Sequence, residues 1–156
     1  MNAVAASLRR YDAATGGLSG AVPESLSLFL VRLALAGVFW RSGQTKVEPG
    51  AWFRLTDATR ELFRTEYAGV PLPPDLAAVL ANAAEHVLPV LLVLGLFTRG
   101  AALGLIGMTL VIQVFVYPEA WWPVHSLWTA LAAVLFVRGG GLLSLDALAA
   151  RMRRAW

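Results

Sequence analysis

One stretch, residues 76–97, limits this chain to a small set of folds. It reads LAAVLANAAEHVLPVLLVLGLF, and about 20 mostly apolar residues are the length at which an α-helix crosses a bilayer's hydrocarbon core. Glu85 and His86 lie near its middle, and Pro89 removes the backbone donor that would have bonded the Glu85 carbonyl. A charged residue at the centre of a membrane helix costs about 2.5–3.5 kcal/mol on insertion scales. We therefore expect Glu85 to face the protein interior beside a partner.

The composition indicates a membrane protein. Of the 156 residues, 58% are hydrophobic and 15% are charged, whereas about a quarter of the residues in a typical soluble protein are charged. Basic residues cluster at segment ends, which suits contact with anionic headgroups. No polar surface mixes aromatic and basic residues, so nucleic-acid binding is disfavoured. The chain has no cysteine, which excludes disulfides, thiolate metal sites and Fe–S clusters held by this chain.

Four apolar segments predict four membrane spans, at about residues 26–42, 76–97, 101–117 and 124–137 of a single domain, 1–156. Residues 1–24 lack the features of a cleavable signal peptide and form an N-terminal arm, either a short amphipathic helix or a disordered segment. Residues 142–156 predict an amphipathic C-terminal helix, capped by Ser144, whose arginines face anionic lipid. The predicted fold is all-α, an integral membrane four-helix bundle.

Between the first two spans, the hydrophobic pattern becomes that of an amphipathic helix. From Trp52 to Tyr67, apolar and aromatic residues recur at steps of three and four, with charged residues between them. Pro49 and Gly50 mark the predicted start, and the segment 69–74, GVPLPP, marks the end. Because it is too polar to span the bilayer, this helix is expected to lie at the interface or to cap the bundle.

Arg32 lies several residues inside the first span, and the sequence leaves two interpretations of it open. Glu85 is the only acidic residue deep in an apolar segment, so an ion pair between Arg32 and Glu85 would neutralise both side chains. Alternatively, Arg32 snorkels to the headgroups, as Arg41 can do from the end of the same span.

The basic residues also predict the orientation. Four spans place both termini on one side of the membrane, and that side carries more Lys and Arg than the other. The terminal side has Arg9, Arg10, Arg99, Arg138, Arg151, Arg153 and Arg154, and the opposite side has Arg41, Lys46, Arg54, Arg60 and Arg64. We therefore expect cytoplasmic termini, with the amphipathic helix and the pair Trp121 and Trp122 facing outward.

On that orientation, polar residues gather in the outer half of the bundle and predict a cavity open to the outside. The candidate ligand-binding residues are Arg32, Arg41, Asn82, Glu85, His86, Gln113, His125 and Trp128. Such a cavity could hold a quinone headgroup, a proton or a metal ion, with Glu85 as the candidate proton-handling residue. Glu85 and His86 point about 100° apart on a helix, so we do not expect them to serve one small site. Gln113 also has a simpler interpretation, an interhelical hydrogen bond.

A metal site has weaker support. His86, His125 and Met108 are weak candidates beside Glu85, and no pair has the i, i+4 spacing of ligands on one helix. The chain has no nucleophile motif, phosphate loop or CxxC pattern. An accessory membrane subunit is therefore favoured over a self-sufficient enzyme.

Three stretches resemble the DoxX family of bacterial four-helix membrane proteins. They are LVRLALAGVFWRSGQTKV, EHVLPVLLVLGLFTRGAAL and GGGLLSLDAL, in this order between residues 30 and 148. The residues at family-typical positions are Arg32, Gly43, Lys46, Glu85, Thr98 and Arg99. RSGQTKV and EYAGVPLPPDLAAVLA are further similar to DoxX-like proteins associated with metal-binding or modified peptides.

The resemblance implies a multi-pass protein of the bacterial inner membrane. It also implies a soluble or membrane-bound protein partner, and a homo-oligomer is compatible with the resemblance. The family takes its name from the membrane subunit of a thiosulfate:quinone oxidoreductase, and other members are linked to oxidative-stress complexes. One implied function is a noncatalytic anchor or transport component of a redox, oxidative-stress or metal-handling system. The alternative is a quinone-linked oxidoreductase subunit in which Glu85 handles protons. The lack of cysteine argues against thiol chemistry in this chain.

Overall fold

The computed structural model describes residues 3–154, which form a bundle of four long helical segments with shorter helices at its two ends. The long helices are α2 (Ala21–Gln44), α4 (Pro74–Leu94), α5 (Thr98–Phe115) and α6 (Ser126–Arg138). The shorter helices are α1 (Ala3–Thr15), α3 (Asp57–Thr65) and α7 (Leu145–Arg154). A 3₁₀ turn and a π-helical turn precede α6, so its segment runs continuously from Pro118 to Arg138.

All four long segments are long and apolar enough to cross a membrane, so the predicted all-α membrane bundle is confirmed. The first helix begins at residue 21 rather than 26, and the second ends at Leu94 rather than residue 97. Gly95 ends α4 because it adopts a φ of 65°, a left-handed conformation that suits glycine. Asp146 then accepts hydrogen bonds from the backbone N–H groups of Phe97 and Thr98, at 2.8 and 2.9 Å, and starts α5.

The core of the bundle is built from leucines and alanines. Each long helix contributes one leucine with 0% exposure: Leu35, Leu92, Leu105 and Leu135. Buried alanines of α2, α5 and α6 in this core let the backbones approach closely. The outer faces carry many exposed leucines and valines, which would form a large apolar patch in water and suit a lipid environment.

The amphipathic segment between α2 and α4 forms a shorter helix than predicted. The helix α3 covers Asp57–Thr65, and the preceding loop is closed by an antiparallel bridge between Val47 and Leu55. Thr56 caps α3, because its side chain accepts a hydrogen bond from a first-turn N–H at 3.1 Å. The predicted helical start near Trp52 was therefore wrong: the bridge and the cap keep the preceding residues out of the helix.

Arg32 follows neither of the two interpretations drawn from the sequence. Its side chain is 0% exposed, so it does not snorkel. Its Nη1 donates to the carbonyls of Leu92 and Val93, at 3.0 and 3.2 Å, and its Nη2 donates to the carbonyl of Leu143. The last carbonyls of a helix lack intrahelical hydrogen-bond partners, and Arg32 supplies hydrogen-bond donors to these carbonyls at the end of α4. The proposed pair with Glu85 was wrong, since Glu85 lies two turns earlier in α4 and has a different partner.

The two ends of the bundle differ in what covers them. One end, here called the terminal end, carries α1, α7 and the turn after α4; the opposite end, the α3 end, carries α3 and the turn before α6. Ser144 caps α7 as expected, with its Oγ accepting from the N–H of Ala147 at 3.1 Å. The N-terminal arm is helical over Ala3–Thr15. The ends of the predicted arm and of the predicted last helix, residues 1–2 and 155–156, lie outside the described residues.

Candidate functional site

A buried ion pair between α4 and the end of α2 forms the centre of the site. Glu85 Oε1 accepts from Lys46 Nζ at 2.8 Å and from Ser42 Oγ at 2.8 Å. Lys46 also donates to Ser42 Oγ at 3.0 Å, which lies one helical turn before it. The side chains of Lys46 and Glu85 are only 9% and 3% exposed. The expectation that Glu85 faces inward beside a partner is confirmed, and the partner is Lys46.

Gly43 allows the two helices to meet at this level. A Cβ atom there would lie 2.8 Å from His86 Cε1, which is closer than real Cβ contacts, and 3.1 Å from Glu85 Cβ, which is unusually tight. The backbone of α2 therefore lies directly against the side chains of α4. This close approach brings Ser42 and Lys46 within hydrogen-bonding distance of Glu85.

Two cavities meet at Glu85, which lines both together with Tyr67 and Ile112. The first, of about 200 Å³, is called the apolar lobe, and its other lining residues are Lys46, Phe63, Val70, Leu72, Ala77, Leu80, Ala81, Ala84, Met108 and Val111. The second, of about 300 Å³, is called the aromatic lobe, and its other lining residues are Val38, Phe39, Ser42, Tyr117, His125 and Trp128. Together the lobes fall within the size range of small-molecule sites.

The second carboxylate oxygen of Glu85 is unsatisfied. Among residues 3–154, Oε2 is buried and has no hydrogen-bond partner. An unpaired buried acceptor costs about 1–3 kcal/mol, and a charged one costs more. A hydrogen-bond donor that reached Oε2 would remove this cost.

Two tyrosines connect α3 with the aromatic lobe. The ring of Tyr67 stacks on Phe63, with centroids 4.3 Å apart, and lies 6.3 Å from that of Tyr117. Burial, followed by the neighbouring Tyr117, Glu85 and Glu66, raises the pKa of Tyr67 to about 12. The hydrogen bond that Tyr117 donates to Glu66 and its partial burial raise the pKa of Tyr117 to about 12. Both hydroxyls therefore keep their protons at neutral pH.

His125 lines the aromatic lobe from the π-helical turn before α6. Its Nδ1 lies 2.7 Å from Oε1 of Gln113 on α5, and Nε2 of Gln113 donates to the Pro118 carbonyl at 2.6 Å. The predicted interhelical hydrogen bond of Gln113 is therefore confirmed. The ring of Trp128 lies 5.3 Å from those of His125 and Phe39, so three aromatic rings form one wall of the lobe.

Five of the predicted site residues line neither lobe. Gln113 contacts the aromatic lobe only through His125, and the other four lie farther away. His86 points away from Glu85, as their spacing predicts: its Nδ1 lies 2.8 Å from the Asn82 carbonyl, and its Nε2 lies 2.9 Å from Nε2 of Gln44. The Asn82 side chain donates to a carbonyl of the loop before α3 at 3.0 Å. Arg41 is exposed on another face of α2, and Arg32 lies near the terminal end.

The weak metal candidates are separated by the fold. His125 lines the aromatic lobe, Met108 lines the apolar lobe, and His86 packs among aromatic rings outside both. Within residues 3–154, no group of three or more His, Cys, Asp or Glu side chains is placed to hold a metal ion.

Three contributors to the site, Ser42, Lys46 and Tyr67, were not among the candidates drawn from the sequence. Lys46 occupies a family-typical position, and it follows Ser42 by four residues at the end of the first span. That spacing places both on one helical face and is the signal that could have identified them. Tyr67 belongs to the apolar stripe of the amphipathic segment, whose pattern indicates only packing.

A family model and a distant relative match this chain. The family model described as DoxX matches residues 27–118, which is 92 of the 156 residues. An uncharacterized protein of Haemophilus influenzae is 28% identical over an alignment 143 residues long, and the match covers 81% of this chain and 85% of that relative. No solved structure matches this chain significantly. The matched region includes Lys46 and Glu85 but ends before His125.

Proposed function

Because the chain belongs to the DoxX family of membrane proteins, we propose that it is a quinone-linked subunit that binds a quinone headgroup beside Glu85. Reduction of a quinone to a quinol takes up two electrons and two protons. A partner protein's redox centre exchanges the electrons with the headgroup, and Glu85 carries protons between the headgroup and the solution, accepting one from a quinol hydroxyl when the quinol is oxidised. This chain supplies the binding site and the proton route.

The observation that carries the proposal is the unpartnered, buried Oε2 of Glu85, a residue that lines both lobes. Lys46 and Ser42 both bind Oε1, so the ion pair leaves one carboxylate oxygen available. A hydroxyl of a bound quinol would donate to that oxygen and complete its hydrogen bonding.

The shapes of the lobes suit a ligand with a flat head and an apolar tail. The rings of Phe39 and Trp128 offer a stacking surface in the aromatic lobe. The apolar lobe includes Leu72, Leu80 and Val111, which are 45%, 50% and 41% exposed. Since these three residues reach the outer surface, a ligand dissolved in the bilayer can enter between α4 and α5 with its tail in the apolar lobe.

The proposal includes a location in the bacterial inner membrane with cytoplasmic termini. Support comes from the excess of arginine at the terminal end and from the turn before α6, which carries no Lys or Arg. On this orientation, the α3 end and both lobes face the outside. Protons bound at Glu85 would exchange with that side.

A noncatalytic anchor is the second candidate, and one observation favours it. Lys46 neutralises Glu85 without any ligand, so the pair is sufficient to explain why an acid is buried in α4. In that function, the protein holds a partner at the membrane, and the lobes bind no quinone.

Binding measurements separate these candidates. The purified protein in lipid nanodiscs is titrated with a decyl-substituted benzoquinol and its quinone, beside the double variant Lys46→Met with Glu85→Gln, which removes both charges together. A hydrogen bond to a charged group is worth about 1.5–3 kcal/mol, so the double variant should bind the quinol roughly 10- to 150-fold more weakly. Arg41→Gln, which changes an exposed residue outside both lobes, is the control and should bind normally. Absence of binding to the wild-type protein, or equal binding by the double variant, contradicts the proposal.

A further inference from the structure

We propose that His125 accepts a second hydrogen bond from the ligand and makes the site prefer the reduced quinol to the oxidised quinone. The inference rests on the proposed quinone site and adds the redox form that this site selects. Gln113 acts as a positioning residue, because it fixes which nitrogen of His125 carries the proton. The family match ends before His125, so the inference depends on the geometry of this chain.

The first step is the orientation of the Gln113 amide. One end of this amide lies 2.6 Å from the main-chain carbonyl of Pro118. A carbonyl only accepts hydrogen bonds, so the group that faces it must be the NH₂ of Gln113. The amide oxygen is therefore the end that faces His125.

The second step is the tautomer of His125. Its Nδ1 lies 2.7 Å from Oε1 of Gln113, and an amide oxygen only accepts, so Nδ1 must carry the proton. An imidazole is mainly neutral at pH 7, and in its neutral form the other nitrogen, Nε2, is then a bare acceptor. Within residues 3–154, Nε2 has no hydrogen-bond partner. The ring lines the aromatic lobe, so this lone pair is available to a ligand there.

The third step is an account of the remaining polar groups around the lobes. The ammonium protons of Lys46 are directed at Ser42 and Glu85, the Ser42 hydroxyl donates to Glu85, and the Tyr117 hydroxyl donates to Glu66. Among the lobe-lining side chains of residues 3–154, Oε2 of Glu85 and Nε2 of His125 therefore remain as unused groups that can only accept. The Tyr67 hydroxyl and the Trp128 indole N–H are the donors that can still serve a ligand oxygen.

These unused hydrogen-bonding groups distinguish the quinol from the quinone. A quinol has two hydroxyl groups, and each can donate to one acceptor while its oxygen accepts from a donor such as Tyr67. A quinone has only carbonyl acceptors, which would leave Glu85 and His125 unsatisfied. A site built to bind a hydroxyl group rejects an analogue that lacks it strongly, because its buried polar groups are left unpaired.

Binding of the two redox forms tests the preference. The decyl benzoquinol and its quinone are titrated anaerobically into the protein in nanodiscs, and we expect the quinol to bind at least about tenfold more tightly. His125→Phe keeps an aromatic ring but removes the acceptor, so the quinol preference should disappear. His125→Gln places an amide oxygen near the position of Nε2 and should restore part of the preference.

The tautomer of His125 can be measured directly, and a purely structural role of Gln113 would leave it unchanged. The chain has two histidines, so nitrogen NMR of the histidine-labelled protein shows only two imidazoles, and the His125→Phe spectrum assigns them. We expect His125 to be protonated at Nδ1 in the wild-type protein. Gln113→Leu should remove this bias and reduce the quinol preference while the protein still unfolds cooperatively.

The outcomes distinguish this inference from the proposed function. If neither redox form binds, both the proposed quinone site and the preference for quinol are refuted. If both forms bind equally well, or if His125 carries its proton at Nε2, only the preference for quinol is overturned. Tighter binding of the quinol that depends on both His125 and Gln113 supports the inference.

Discussion

Removal of Lys46 should leave a carboxylate charge without its partner inside the bundle. The two side chains are 9% and 3% exposed, and their charged atoms lie 2.8 Å apart, so solvent screens the pair weakly. Removing one partner of a buried ion pair costs about 3–5 kcal/mol. We therefore expect Lys46→Met to lower the free energy of unfolding by about that amount, because Glu85 keeps only the hydrogen bond from Ser42.

A double-mutant cycle isolates the interaction. Glu85→Gln alone leaves a buried ammonium group, whereas Lys46→Met combined with Glu85→Gln removes both charges. The double variant should therefore be more stable than Lys46→Met alone, with an interaction energy of about 2 kcal/mol or more. Denaturant titration in detergent micelles, followed by circular dichroism, gives each free energy.

Two control pairs make the result specific. Arg54 and Glu48 form an ion pair at 3.2 Å with side chains 75% and 47% exposed, and such pairs contribute about 0–1 kcal/mol. Arg32 lies on α2 and contacts the end of α4 two turns away from Glu85, so variants of Arg32 and Glu85 should add independently. Additive losses for Lys46 and Glu85, or strong coupling between Arg32 and Glu85, would refute the arrangement of charges described above.

Three further predictions concern the surroundings of the site. Gly43→Ala should lower the free energy of unfolding by about 1–3 kcal/mol, because the new Cβ would lie 2.8 Å from His86. The variant should therefore have a lower melting temperature. An unchanged melting temperature would contradict the close helix contact. Gly95→Ala should reduce the yield of folded protein on size-exclusion chromatography. Gly95 has a φ of 65°, and the alanine Cβ would collide with Arg32. A normal yield would show that the end of α4 is not tightly packed. The pKa of Tyr67 is raised to about 12 from 10.0, so the stability that its burial contributes is complete below about pH 10 and is lost as the pH rises toward 12. Tyr67→Phe should remove part of that alkaline loss in melting curves, and an identical loss in the variant would argue against the raised pKa.

The first three spans could be predicted because bilayer thickness sets the length of an apolar helix, and each of those apolar runs is long enough. The fourth predicted span, residues 124–137, is short, and the structure extends it back to Pro118, which gives a segment of 21 residues. The angular separation of Glu85 and His86 followed equally directly from the helix period, and the structure places them in different surroundings. The start of α3 was missed, because the bridge between Val47 and Leu55 outweighs the three- and four-residue pattern that precedes Thr56.

The partner of Glu85 could not be read from the sequence, because a charge in one helix can meet any cation that packing brings to its level. Arg32 is deeper in the first span and therefore seemed the natural partner, whereas Lys46 lies beyond the predicted end of that span. In the structure, α2 continues to Gln44, and the aliphatic stem of Lys46 lets its ammonium group reach back to Glu85. Arg32 instead satisfies carbonyls at the end of α4.

Photolabelling tests the proposed ligand site most directly. A quinol analogue with an azide on its ring is added to the protein in nanodiscs, and the labelled residues are identified by mass spectrometry. We expect labelling at Tyr67, Met108 or Trp128, which line the lobes, and its loss when excess unlabelled quinol is added. Labelling confined to the outer groove between α2 and α4, beside Leu33 and Pro89, or labelling that excess quinol does not displace, would contradict a headgroup site at Glu85.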